Sequence, residues 1–158
     1  MIRRYGAMFL MLLTLLTLPG LPGAGCAEGR TVILPDGAHQ IRLPADMEVL
    51  TPEKGVERLW AVYGMRDLEL EIFTYTGNGL SPQENAERLT EAGSEAEIRE
   101  IAGVSFLVYR DRDEADGALC IGYMYPVGDT FVELSFWYGS TEAGEQTKEI
   151  METFGPVE

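Results

Sequence analysis

The residues of this chain best suited to chemistry are acids. Glu69 and Glu71 stand two apart in one extended segment, and Glu133 stands in another. At that spacing both glutamates share one face of a strand, because side chains alternate with a period of two. If the two strands were neighbours, such carboxylates would supply the acid and base of a secreted hydrolase. The plainer reading is the wet face of a sheet. A second acidic set lies in the run Asp111-Arg112-Asp113-Glu114-Ala115-Asp116-Gly117. Asp111, Asp113, Glu114 and Asp116 are the oxygen donors from which a calcium site would be built. Measured as an EF-hand, the run has Ala115 in the fifth position, Asp116 where glycine belongs and Gly122 where the closing glutamate belongs. That motif is excluded. A looser divalent-cation site is the alternative to a solvated loop whose acids are balanced by Arg110 and Arg112. No cofactor is predicted.

Nucleophilic chemistry finds little support. Cys120 lies in the apolar run Leu119 to Tyr125, where a thiol behaves as a small buried hydrophobe. His39 falls in an early strand, and nothing in the sequence brings it to Cys120 as a base. There is no Gly-x-Ser-x-Gly, and Gly77-Asn78-Gly79 lacks the further glycines and the lysine of a phosphate loop. What is abundant is aromatic. Trp60, Phe73, Tyr75, Tyr123, Tyr125, Phe131, Trp137 and Tyr138 all fall in strand-like segments. If helices cover only one sheet face, rings on the other mark a surface for a peptide, glycan or apolar ligand, the partner being an envelope protein, a peptide or a glycan. Phe73, Tyr75, Tyr123, Tyr125 and Trp137 are the predicted contact residues. The alternative is a sheet packed on both faces, one by each helix.

The elements that must position these residues are legible. Strands are predicted at Thr31 to Leu34, Ala38 to Leu43 and Met47 to Leu50, then at Leu59 to Tyr63 and Leu68 to Thr76, where Leu68, Leu70 and Ile72 alternate with Glu69, Glu71 and Phe73. Pro35-Asp36-Gly37 and the polar segment Pro52 to Gly55 supply turns. Ser81-Pro82-Gln83-Glu84 opens a helix as a capping box with proline at the first position, and Gly93 ends it. Ala96 to Ile101 and Val104 to Asp111 flank Ala102-Gly103, a tight hairpin. Leu119 to Tyr125 and Thr130 to Tyr138 form another around Pro126-Val127-Gly128-Asp129. A last helix from about Glu142 to Phe154 carries Ala143, Thr147, Ile150, Met151 and Phe154 as an inward stripe before Gly155-Pro156. The class is α+β, an antiparallel sheet with two amphipathic helices packed on it.

The N-terminal segment bears on location. Arg3 and Arg4 precede an apolar run from Met8 to Leu18, then Pro19, Gly20 and Pro22, then the small residues 23–27. This is the order of a secretory signal peptide, so residues 1–27 are read as a leader and 28–158 as a single exported domain. The apolar run is too short for a membrane-spanning helix, which needs about 20 residues. Cleavage after Ala27 leaves Cys120 without a disulfide partner; acylation of Cys26 is the lipid-anchored alternative. The chain carries 12 basic and 26 acidic residues, and the leader removes Arg3 and Arg4 but no acid, leaving a net charge of −16. Such a body is repelled by phosphate backbones, which excludes nucleic acid as a partner. The charge otherwise serves solubility.

An opening hairpin ending in Leu43-Pro44-Ala45-Asp46-Met47, a middle helix after Ser81-Pro82, the Ile101-Ala102-Gly103-Val104 hairpin with Tyr109, a strand pair and a closing helix follow in that order over residues 31–154. Together they resemble exported members of the PsbP-like superfamily. The resemblance implies an α/β/α sandwich and a non-enzymatic accessory or binding role at a membrane, and it carries over no site residue. Cystatin-like and NTF2-like sheets are the rival topologies, but they place a helix before most of the strands.

Overall fold

Segments of alternating apolar residues pair into two antiparallel sheets. The computed structural model describes residues 29–50, 58–113 and 117–158. Its first strands are β1 (Arg30–Ile33), β2 (His39–Leu43), β3 (Glu48–Leu50), β4 (Leu59–Met65) and β5 (Leu68–Thr76). Helix α1 (Pro82–Glu91) precedes β6 (Glu95–Ile101), β7 (Val104–Arg112), β8 (Leu119–Val127) and β9 (Thr130–Tyr138). Helix α2 (Thr141–Glu152) and the short β10 (Gly155–Pro156) close the chain. The large sheet has the order β3-β4-β5-β9-β8-β7-β6, and β1, β2 and β10 form a small one. Helix α1 carries the chain from β5 to the far edge, β6. The sheet then returns by three antiparallel connections, β6–β7, β7–β8 and β8–β9, until β9 pairs with β5 over its whole length, Leu68 against Tyr138 to Thr76 against Thr130.

Local chemistry accounts for the joints. Ser81 Oγ accepts from the Glu84 amide at 3.3 Å and Glu84 Oε2 accepts from the Ser81 amide at 2.8 Å, the reciprocal cap that starts α1. Ala102 (φ 50°) and Gly103 (φ 79°) both take positive φ between the paired Ile101 and Val104, the backbone of a two-residue hairpin turn. The β8–β9 turn is tighter than expected. Pairing continues through Pro126–Phe131 to Val127–Thr130 because Gly128 and Asp129 alone make the bend. Pro126 is tolerated there because the ladder with β7 ends at Met124.

The inner face of the large sheet carries Leu70, Ile72, Phe106, Leu134 and Phe136, all 0 % exposed, against the small sheet and α2. Each such side chain contributes roughly 1.5–3 kcal/mol through burial. Tyr123 and Tyr125 belong to this core. They pair with Leu134 and Val132, share their parity and are 1 % exposed, so neither can serve as a contact residue. Phe154, just past α2, is wedged edge-on to Phe106 at 4.9 Å and stacked on His39 at 4.9 Å. Gly155 and Pro156 stop the helix as expected, and they also pair with Gln40 and His39, an edge too short to read from sequence.

The two sheets are fastened by a buried acid. Asp36 Oδ1 accepts from the amides of Ala38 (3.0 Å) and His39 (3.1 Å), while Oδ2 meets His39 Nδ1 (2.6 Å) and the Tyr125 hydroxyl (2.9 Å). Burial pushes this carboxyl up, but the His39, Tyr125 and Ala38 hydrogen bonds outweigh it and hold it below the usual value. Tyr125 is pushed up by burial and by the Asp36 carboxylate.

Helix α1 packs on the opposite, outer face over β6 and β7, where Leu107 is 0 % and Ala86 6 % exposed. Both faces are therefore packed, but unequally, and the outer face of β5, β9 and β8 is where the candidate site lies. No helix among the described residues is long and apolar enough to cross a membrane. The leader with Cys26, the turn at Pro52 to Gly55, and Glu114 and Asp116 lie outside the described residues.

Candidate functional site

Three rows of side chains cross the outer face, as the register dictates. One is Tyr109, Gly122, Ser135 and Glu71; the second is Leu107, Met124, Glu133 and Phe73; the third is Asp111, Cys120, Trp137 and Glu69. The three glutamates singled out by spacing thus share one face of adjacent strands. Glu71 and Glu133 are diagonal neighbours, which places their Cβ atoms roughly 7–8 Å apart.

Their environments differ. Glu133 is 8 % exposed, and its Oε1 accepts from Ser135 Oγ at 2.6 Å and from the Tyr109 hydroxyl. Tyr109 reaches it from two strands away because Gly122 has no side chain. A Cβ at Gly122 would stand 2.2 Å from the tyrosine ring. Burial pushes the Glu133 carboxyl up, the Ser135 hydrogen bond opposes this, and the nearby charge of Glu71 adds to it. Burial also pushes the Tyr109 phenol up to about 12, with Cys120, Asp111 and Glu71 contributing. Glu71 is more open, and its Oε2 accepts from Trp137 Nε1 at 2.9 Å.

Of the five predicted contact rings, Phe73, Tyr75 and Trp137 lie on this face, each partly exposed, while Tyr123 and Tyr125 lie beneath the sheet. Strand parity alone separates the two groups. Ser135, Tyr109 and Gly122 complete the site and escaped the sequence reading, because only the strand register shows that Tyr109 can cross Gly122. Two open grooves on the described surface lie away from these carboxylates. One, of about 510 Å³, is lined by β1 residues, Val49, Trp60 and Tyr63. A bulge between Leu59 and Ala61 turns Trp60 outward there, 48 % exposed. The other is walled by Arg42, Pro44 and Ile150.

The acidic loop is built from its backbone. Asp111 Oδ1 accepts from the Arg112 amide at 2.8 Å, and Asp113 closes a turn with Gly117 and Ala118 at 2.9 Å each. Among the described residues no three His, Cys, Asp or Glu side chains are grouped to hold a metal ion. Cys120 is buried on the outer face, whereas His39 packs against Phe154 and Tyr125 on the inner side.

No family model matches the chain, and no curated protein matches it in sequence. Its fold is that of an α+β sandwich of the PsbP-like kind. It is similar to the solution structure of cyanobacterial PsbP (CyanoP) from Synechocystis sp. PCC 6803, with a TM-score of 0.59 and 11% identity, over 89% of this chain and 99% of that one. It is also similar to a crystal structure from Bacteroides thetaiotaomicron VPI-5482, with a TM-score of 0.57 and 15% identity, covering 83% of this chain and 49% of that one. The likeness to PsbP is one of fold, the level at which the element order suggested it.

Proposed function

We propose that residues 28–158 form an exported, non-enzymatic binding domain that acts at the cell envelope and docks a partner protein or peptide on the outer face of its large sheet. The observation that carries this reading is that α1 covers only β6 and β7, leaving Phe73, Tyr75 and Trp137 partly exposed beside Glu71. The leader sequence and the fold of the cyanobacterial PsbP support it. Catalysis by the carboxylate pair is disfavoured because Glu133 Oε1 is engaged by two hydroxyls of the sheet itself.

The test has two parts. The full chain, expressed with its own leader, is fractionated and its N-terminal residue determined by mass spectrometry. Glu28 at the N-terminus in the envelope fraction is expected, and an intact Met1 in the cytosol sinks the assignment. The processed protein and its Phe73→Ala/Tyr75→Ala variant are then compared in crosslinking pull-downs from that fraction. Loss of the captured partner with an unchanged melting curve is expected; equal capture by both removes this face from the proposal.

A further inference from the structure

We infer that β1 accepts an added strand, an extended peptide of a partner protein that lies along the groove between β1 and Trp60, with apolar side chains at alternate positions and an acidic side chain for Arg30. This surface is separate from the outer face of the large sheet and rests on other observations.

The sheet edges are protected unequally. The two sheets end at β1, β10, β3 and β6. An open edge invites pairing, and proteins blunt it by shortness, proline or charge. β10 is two residues long and contains Pro156, β3 has three residues, and β6 carries Glu95, Glu97, Arg99 and Glu100. β1 has Arg30 at its start and then Thr31-Val32-Ile33, with Ile33 51 % exposed. The Leu34 amide donates to the His39 carbonyl at 2.8 Å, so in the alternation of an antiparallel pair Val32 and Arg30 also bond to β2. The other side of β2 agrees. There the Arg42 amide donates to Thr153 Oγ1 at 2.7 Å, and the Ala38 carbonyl accepts from the Val157 amide at 2.9 Å. The N–H and C=O groups of Thr31 and Ile33 therefore point away from β2, where no described strand pairs with them. Main-chain groups of this kind hold an incoming strand, and pockets beside them select its side chains.

The groove of about 510 Å³ beside this edge supplies such pockets. Val49, Trp60 and Tyr63 face β1 across it, and Val49 is 62 % exposed. Alternate residues of a strand laid along β1 direct apolar side chains into that gap. Charge selects the acid. In a chain of 26 acidic and 12 basic residues, the described lining of this groove contains Arg30 and no Asp or Glu. Asp36, close by in sequence, is turned toward His39 and Tyr125. Burial pushes the Tyr63 phenol up and the nearby Arg30 guanidinium opposes this, which sets the charge at the groove wall. Arg30 takes part in none of the ion pairs among the described residues. A carboxylate from the partner completes a charge-assisted pair there.

The probe is a capped hexapeptide, Asp-Val-Thr-Val-Thr-Asp, titrated into the full chain by isothermal calorimetry at constant ionic strength. Its control is Lys-Val-Thr-Val-Thr-Lys. The protein's net negative charge favours the lysine peptide at long range, so the opposite order identifies the local site. The aspartate peptide should bind about ten-fold more tightly or better, and Arg30→Glu should abolish or invert that preference. Trp60→Ala should weaken the aspartate peptide about ten-fold. N-methylation of its valines and threonines, which keeps the side chains but removes the main-chain donors, should abolish binding. No saturable heat with the aspartate peptide, equal or lysine-favouring affinities, an unchanged preference in Arg30→Glu, or binding of the N-methylated peptide overturns the inference. So does a dimer in sedimentation analysis that Ile33→Asp dissolves, because the edge then belongs to a second copy.

Discussion

Replacing Glu133 by glutamine should stabilise this protein, and increasingly so as pH rises. The side chain is 8 % exposed, accepts two hydroxyl bonds and has no cation partner among the described residues. Its carboxyl is raised in the folded state by burial, against the Ser135 bond and with help from Glu71. A raised carboxyl means that the native state holds its proton over a range where the unfolded chain has released it. The stabilisation from that proton is complete below the unfolded value and is lost as pH climbs through the folded one. Over that window the wild type loses at most about 1.4 kcal/mol per pH unit from this group. Glutamine keeps an acceptor for Tyr109 and Ser135 and cannot ionise. It should match the wild type near pH 4 and exceed it by about 1–2 kcal/mol at pH 8, in keeping with the cost of a buried unpaired charge. For a domain of this size that is roughly 3–8 °C in Tm. Glu133→Ala separates charge from hydrogen bonding. It strips the acceptor from two buried hydroxyls and should cost about 1–3 kcal/mol across the range. Urea denaturation of the three proteins from pH 4 to 8.5, followed by circular dichroism, decides the matter. A glutamine-to-wild-type difference that does not change with pH, or that shrinks as pH rises, refutes the reasoning.

Three further outcomes follow from the same geometry. Gly122→Ala puts a methyl 2.2 Å from the Tyr109 ring and should destabilise by about 1–3 kcal/mol in urea melts, whereas Gly122→Ala combined with Tyr109→Ala should recover part of that loss. Asp36→Ala removes the acceptor for His39, Tyr125 and two amides at a side chain 2 % exposed, and should cost about 2–4 kcal/mol at pH 7. Because the Asp36 carboxyl is lowered on folding, its contribution is present above the unfolded value, about pH 4, and is lost as pH falls through the folded one. The penalty should therefore narrow in acid, and a penalty constant down to pH 2 contradicts the network. Spectrophotometric titration of the folded protein should show a tyrosine ionising at about 12 that disappears in Tyr109→Phe, and an unchanged high-pH absorbance step would assign it elsewhere.

Period-two alternation, the Ser81–Glu84 cap, the Ala102-Gly103 turn and the helical stripe at Ala143, Thr147, Ile150 and Met151 were enough to name the strands and both helices. These signals are local, because they depend on backbone preferences and on which side of one element is apolar. Their order was enough for the PsbP-like resemblance that the structural likeness bears out. The pairing of β5 with β9 was not legible, because more than fifty residues separate the strands and only the packing of the whole sheet selects it. That pairing decides that Glu71 and Glu133 are neighbours, that Tyr109 spans Gly122 to reach a carboxylate, and that Tyr123 and Tyr125 turn into the core while Phe73, Tyr75 and Trp137 stay outside. Residue type and spacing identified which side chains are capable of binding. Register, a long-range property, decided which of them share a face and how deeply each is buried.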